Sequence, residues 1–356
     1  MALHPAGEPG PYPAEVRHRI RREIQGDYGH MARTLNDCGV DVVSLQYRPS
    51  IWGADGAYVL DFIRALRVPM VATIHELPAN PTPAQRQILA ELADTARMLV
   101  AMSAAARDRL RNDYGLAPAR IEIIPHGVPD LPLVSPEAIK ARLGFRDRAV
   151  ILSFGLLTPG KGFESVIDAM PAILAAEPTA RYIILGAASS DASDGESDAY
   201  RAALEARVTR LGLAEQVRFI DKFVGRVELG TWLEAADVVA LPSLDLDRTV
   251  SGRLAYAMGA GRAIVSTRSA YAAEMLAHGR GRFVPPASPE KLAAEIIGLL
   301  ADPAERAAIG RLAYEHVREM VWWQVGRRYR LLFDRAADPA AREQTPSLRK
   351  MAARVF

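Results

Sequence analysis

The stretch AVILSFGLLTPGKGFESVIDAM, Ala149 to Met170, begins as an unbroken apolar run and ends as a helical one. Beyond Gly162 the apolar positions are Phe163, Val166, Ile167, Met170, Ile173 and Leu174. Steps of three and four put them on one stripe of a helix. The run before Gly155 has no polar alternation, which suits a strand covered on both faces. Between strand and helix lie Gly155, Gly160 and Gly162, with Lys161 among them. Glycines let backbone approach a ligand closely, and a lysine at a helix start favours an anion such as a diphosphate. The spacing matches the loop G-x-x-x-x-G-K-S/T of nucleotide hydrolases, but Gly162 replaces the hydroxyl residue that would hold magnesium. A magnesium-dependent hydrolase is disfavoured. A diphosphate loop of another kind and a tight Pro-Gly turn with a surface lysine both stay open on these residues alone.

The same alternation runs along the chain. DVVSL (41–45), MVATI (70–74), MLVAM (98–102) and IEII (121–124) are expected strands, and helical patterns separate them. AVILSF, RYIILG, VRFI, DVVALP, AIVST and RFVPP follow as a second series. Apolar runs of this kind predict parallel sheets between helix layers, an α/β, doubly wound class. The proline-rich stretch between the two series predicts a linker at 131–145. The expected division is a first domain over 1–130, a second over 146–315, a helix over 316–337 crossing back to the first, and a loose tail over 338–356.

At 356 residues the chain is long enough for two cores. A formal net charge of +2 gives no reason to expect a nucleic-acid partner. Cys38 is the one cysteine, so no internal disulfide can form, which fits a reducing compartment. No stretch approaches the roughly 20 apolar residues that span a bilayer, and the first residues lack the apolar core of a secretory signal. The expected location is cytoplasmic, with peripheral contact at the inner membrane surface as a variant of it.

FGLLTPGKG, VRFIDKFVGRVELGTWLEAADVVALPS, SGRLAYAMGAGRAIVST and AAEMLAHGRGRFVPP, in that order and spacing, resemble glycosyltransferase family 4. TIHELP, MSAAARDRL and IPHGVPD resemble the family's acceptor-side domain. The resemblance covers about residues 27–335. It implies the GT-B fold, with two Rossmann-like domains facing across a cleft. It also implies a nucleoside-diphosphate sugar as donor, retention of anomeric configuration, and neither metal nor further cofactor. Carried over residue by residue, Lys161 pairs with the donor diphosphate, and Gly155, Gly160 and Gly162 line its path. Ser251 and Gly252 open a helix whose amides hold phosphate oxygens, Glu274 reaches the ribose, and His75 contacts the transferred sugar. His126 in PHGVPD is read as a hinge residue.

Four departures from the family's pattern stand out. Leu156 occupies the place of a frequent arginine, a second diphosphate cation. Arg248 and Tyr256 stand where the family often has two glutamates, although a bacterial branch with SG-x-LAYA also lacks that pair. Arg248 or Arg253 is therefore expected to supply the missing cation to the donor. QYRPSIWGADG (46–56) departs in a loop expected to face the acceptor, which leaves a carbohydrate, a lipid-linked sugar or a small molecule open. MALHPAGEPGPYP leads almost directly into the segment that normally follows the first strand, loop and helix. A shortened first domain is expected, with a protein partner or a second copy covering its sheet edge. A non-catalytic glycosyltransferase-like subunit is the alternative. In EVRHRIRREIQGDY, Val16, Ile20, Ile24 and Tyr28 are expected to pack on a core rather than lie on a membrane. Asp245 and Asp247 in DLD are expected to be solvated loop residues, and SSDASDGESDAY (189–200) a surface loop.

Overall fold

The computed structural model describes residues 1–4, 12–53, 56–187 and 196–338. Two compact units divide the chain: one holds Met1–Pro125 together with the described residues from Gly326, the other His126–Val325. Most of SSDASDGESDAY and the tail from residue 339 lie outside the described residues.

The first unit carries a two-stranded parallel sheet, β1 (Ala2–His4) on β2 (Arg19–Arg21). It also carries a four-stranded parallel sheet of β3 (Val43–Tyr47), β4 (Met70–Ile74), β5 (Met98–Ala101) and β6 (Ile121–Ile123), ordered β3-β4-β5-β6. All five residues of β4 are buried, while β3 alternates buried and exposed as a strand at the sheet's edge does. Helix Pro83–Thr95 starts where Thr82 and Gln85 form a reciprocal capping box, and Ser103 caps helix Ala104–Asn112. Tyr28, Trp52 and Phe62 stack through the core, with centroids 5.6 and 5.7 Å apart. The segment 15–28 is not one helical stripe. Ile20 is buried on β2, Tyr28 is buried on helix Gln25–Asp37, and Ile24 between them is exposed.

Helix Trp322–Ala337 begins in the second unit, and its later turns belong to the first. There the Tyr329 hydroxyl lies 3.0 Å from Thr73 Oγ1, and Arg335 pairs with Glu122. Among the described residues no helix is long and apolar enough to cross a membrane.

The second unit is built on six parallel strands: β7 (Val150–Phe154), β8 (Arg181–Leu185), β9 (Val217–Ile220), β10 (Val238–Leu241), β11 (Ala263–Thr267) and β12 (Arg282–Val284). Their order is β12-β11-β10-β7-β8-β9. Successive residues of each strand serve opposite faces. Val150, Leu152 and Phe154 enter one core, Ile151 the other. Both faces of the central strands are covered, which is why β7 and β10 read as largely apolar runs. Neighbouring strands run in sequence away from β7 on one side and restart at β10 on the other. The crevice at the carboxyl ends of β7 and β10 is thus a topological switch point, the place where open α/β sheets bind ligands.

Residues 131–145, expected to link two domains, fold into the second unit. Helix Pro136–Arg142 sends Lys140 inward, and Phe145 joins the core. Lys140 Nζ lies 3.0 Å from Asp237 Oδ2, and the Val150 amide donates to the same oxygen at 2.7 Å. Arg262, which is buried, donates to the Val134 carbonyl at 2.8 Å. The proline content that suggests a linker reflects irregular backbone, and these buried charges tie it down.

Candidate functional site

The loop after β7 is bound tightly to the loop after β10. Leu244 N–H and the Ser243 hydroxyl both donate to the Gly160 carbonyl, at 2.9 and 3.2 Å. Gly162 has φ +81°, and a Cβ there would run into the carbonyl oxygen of Pro242. No side chain fits at that position, so the serine or threonine of a hydrolase loop is sterically excluded. Helix Phe163–Ala176 starts from Gly162, which brings no side-chain cap to its first amides. Lys161 is half-buried just before that start.

From β10 the chain runs through Pro242–Val250 to Ser251, whose hydroxyl accepts from Leu254 N–H and starts helix Gly252–Gly259. Arg253, the second residue of that helix, lies across Gly155. A Cβ on that glycine would come within 2.8 Å of the arginine Cδ, and the guanidinium donates to the Phe154 carbonyl at 3.3 Å. Burial, then the charge of nearby Arg248, push the Arg253 pKa down to about 10. Arg248 pairs with Asp245 at 2.8 Å, while its Nε is buried with no hydrogen-bond partner. A buried donor left without a partner costs about 1–3 kcal/mol. Such groups concentrate where a ligand completes them. Asp245 is therefore an ion-paired residue of this loop.

The segment 245–248 is held in turn by helix Ala270–Met275. Ala270 and Tyr271 donate their amides to Leu246 and Arg248 carbonyls at 2.9 Å each. Glu274 stands half-buried on that helix, and its carbonyl accepts from Arg280. Tyr271, fully buried beside it, has a hydroxyl without a partner.

A cavity of about 390 Å³ opens beside this arrangement. Gly155, Leu156, Gly252, Arg253, Tyr256 and His126 contribute to its wall, with Lys222, Phe223 and Arg226 from the stretch after β9. The structure thus gathers Gly155, Gly252, Arg253 and Tyr256 around one space. Gly160, Gly162, Lys161, Arg248, Ser251 and Glu274 sit on the loops and helix starts that adjoin it. His75 belongs to the first unit, at the carboxyl end of β4. Its Nε2 lies 2.7 Å from Gln46 Oε1, and its amide donates to Tyr47. Since an amide oxygen only accepts, Nε2 carries the proton in that bond.

Sequence reasoning missed His126 as a member of this site. Its imidazole packs on Tyr256 with centroids 6.0 Å apart and on Trp322 at 5.8 Å. Nδ1 lies 2.8 Å from the Gly127 carbonyl. Burial holds its pKa below the ordinary histidine value. No sequence spacing connects position 126 to 252; only folding does.

Two family models match the chain: Glycosyltransferase Family 4 over residues 4–130 and Glycosyl transferases group 1 over 148–302. A D-inositol 3-phosphate glycosyltransferase of Kineococcus radiotolerans is 30% identical over 306 residues, covering 78% of this chain and 68% of that protein. A GDP-mannose-dependent monoacylated alpha-(1-6)-phosphatidylinositol monomannoside mannosyltransferase of Corynebacterium glutamicum is 30% identical over 270 residues, 70% of this chain and 65% of its own. The chain spans about two thirds of the length of these curated relatives. Among solved structures, Anabaena Alr3699/HepE in complex with UDP-glucose superposes with a TM-score of 0.73 at 21% identity, covering 89% and 85% of the two chains. Sucrose-phosphate synthase from Thermosynechococcus elongatus gives 0.70 at 21%, covering 88% and 80%. With its doubly wound sheets, its glycine-lysine loop at the switch point and these matches along both halves, the chain belongs to glycosyltransferase family 4 and has the GT-B fold.

Proposed function

We propose that this protein transfers a sugar, with retention, from a nucleoside-diphosphate sugar to a hydroxyl of a carbohydrate, lipid-linked or small-molecule acceptor. The observation that carries this reading is the convergence, at one switch point, of three glycines at positive φ, Lys161 and two helix starts. Helix starts present amide donors and positive potential, the complement of a diphosphate. The Gly155–Gly162 loop cradles the phosphates, Lys161 pairs with them, and the amides after Ser251 and Gly252 complete the grip. Glu274 reaches the ribose and Tyr256 walls the nucleotide side. The acceptor oxygen bonds to the anomeric carbon as the bond from that carbon to the phosphate oxygen breaks. The acceptor's proton passes to the departing diphosphate, so no protein nucleophile and no metal take part. Lys161 and the helix-end amides stabilise the charge that grows on the leaving group, and such preorganised stabilisation is usually the largest part of an enzyme's rate enhancement.

The cation missing at Leu156 comes from the other side of the crevice. Leu156 is 46% exposed and apolar, while Arg253 lies across Gly155. A charge-assisted contact is worth about 1.5–3 kcal/mol, or roughly tenfold to a hundredfold in affinity. Arg253→Ala is expected to weaken nucleoside diphosphate by that factor in a titration. Arg248→Ala, which removes the unpartnered Nε, is expected to do the same to a smaller extent. Unchanged affinity in both variants would leave the second cation unassigned.

The reading as a whole is tested by thermal shift with UDP-, GDP-, ADP- and dTDP-sugars. A donor at a hundredfold excess over its Kd stabilises by about 2.7 kcal/mol, enough to raise Tm by several degrees. A flat response to all four removes the donor assignment.

A further inference from the structure

We propose that His126 is a proton-coupled ligand of the donor's diphosphate, neutral in the empty cavity and protonated on Nε2 when the donor is bound. The inference rests on the donor reading of this site and adds a residue and a proton to it.

The tautomer follows from the geometry. Nδ1 lies 2.8 Å from the Gly127 carbonyl, and a carbonyl can only accept, so Nδ1 carries a hydrogen. In the neutral ring Nε2 then holds a lone pair. Among the described residues no hydrogen bond reaches it. Nε2 sits 3.0 Å from where a Cβ of Gly252 would be, so the ring edge lies against the first residue of helix Gly252–Gly259. Tyr256 and Trp322 fix the ring from two sides. It cannot swing away without losing both contacts and the Gly127 bond.

Burial disfavours a proton on His126 while the cavity is empty, partly offset by the hydrogen bond to the Gly127 carbonyl. Charged and polar side chains reach the cavity from the neighbouring elements. From helix Gly252–Gly259 come Arg253 and Tyr256. From beyond β9 come Lys222, paired with Glu228 at 2.7 Å, and Arg226. Trp322 brings no charge, and among the described residues no carboxylate lines the cavity. A diphosphate held at the Gly252 end reverses the balance. Its oxygens would meet the Nε2 lone pair as acceptor against acceptor, and a proton on Nε2 turns that repulsion into a charge-assisted hydrogen bond. Donor binding therefore draws a proton from solvent. The histidine's bound-state pKa lies above its empty-state value, so the added affinity is fully present below the empty-state value. It falls as pH rises through the bound-state value and levels off beyond it.

The probe is whichever of UDP-glucose, GDP-mannose, ADP-glucose and dTDP-glucose binds most tightly. A nucleotide sugar's diphosphate has no group of its own titrating between pH 6 and 8, unlike the terminal phosphate of a free diphosphate. Calorimetric titration in two buffers of different ionisation heat counts the protons taken up. The wild-type chain is expected to take up a fraction of one proton per donor near pH 7 and to bind roughly tenfold more tightly at pH 6 than at pH 8. His126→Asn places an amide where Nδ1 donates to Gly127. It should show a flat affinity profile between pH 6 and pH 8 and no proton uptake. Binding without proton uptake in the wild type, or uptake that persists in His126→Asn, overturns the proposal and leaves the donor reading standing. Failure of all four probes to bind removes both.

Discussion

A Lys161→Ala chain should melt within a degree or two of the unsubstituted protein and transfer sugar about 10²–10³ times more slowly. The backbone at that position is set by its neighbours: Gly160 and Gly162 take positive φ, and the Gly160 carbonyl is held by Leu244 and Ser243. Lys161 itself is half-buried and outside the apolar clusters, so trimming its side chain leaves the core intact. In the proposed mechanism its ammonium faces the charge that grows as the donor's diphosphate departs. Removing one preorganised group of that kind costs about 2.7–4 kcal/mol in the transition state. Initial rates with the donor found by thermal shift give the comparison. A rate within threefold of the unsubstituted chain would mean that another cation carries the leaving group, and Arg253 would be the first to test.

The second large effect lies at the opposite end of the same sheet. Asp237→Ala should destabilise the second unit by about 3–5 kcal/mol, the loss found when one partner of a buried ion pair is removed. Asp237 is 4% exposed and Lys140 7%. The carboxylate receives Lys140, the Val150 amide and, at 3.5 Å, Arg306. Without it the buried ammonium loses its buried counter-charge, keeping only the Arg148 carbonyl at 3.1 Å and Glu137 at 3.7 Å, and a strand amide loses its side-chain acceptor. Asp237→Asn keeps an acceptor for the Val150 amide and should fall between the two. Urea unfolding gives the measurement. A loss under 1 kcal/mol for Asp237→Ala would show that water reaches Lys140 and replaces the carboxylate.

The two large sheets were legible in the sequence for a physical reason. Strands buried on both faces have nowhere to place polar residues, so MVATI and AVILSF stand out as apolar runs against their surroundings. Strands β1 and β2 did not stand out. Each is three residues long, β2 is arginine on both sides of Ile20, and such a pair exists only once the chain has brought residues 2–4 and 19–21 together. The glycine-lysine loop was readable because its chemistry and its backbone demands fall on the same few positions. His126 was not, because its partners Gly252, Tyr256 and Trp322 are distant in sequence. Nor could the sequence indicate that Arg253 would cross Gly155, or that Arg248 would bury its Nε without a partner. Those facts depend on rotamers and on the close approach of two loops.

The bolting of the Gly160 carbonyl to Ser243 and Leu244 has an evolutionary corollary. The Gly155–Gly162 loop and the segment 245–248 are one mechanical part, continued by amide hydrogen bonds into the helix that carries Glu274. A lineage that altered Pro242–Arg248 would also shift the Gly155–Gly162 loop and the footing of Glu274. Divergence among such enzymes would then proceed by exchanging this whole part at once, or by leaving it alone and changing the other unit.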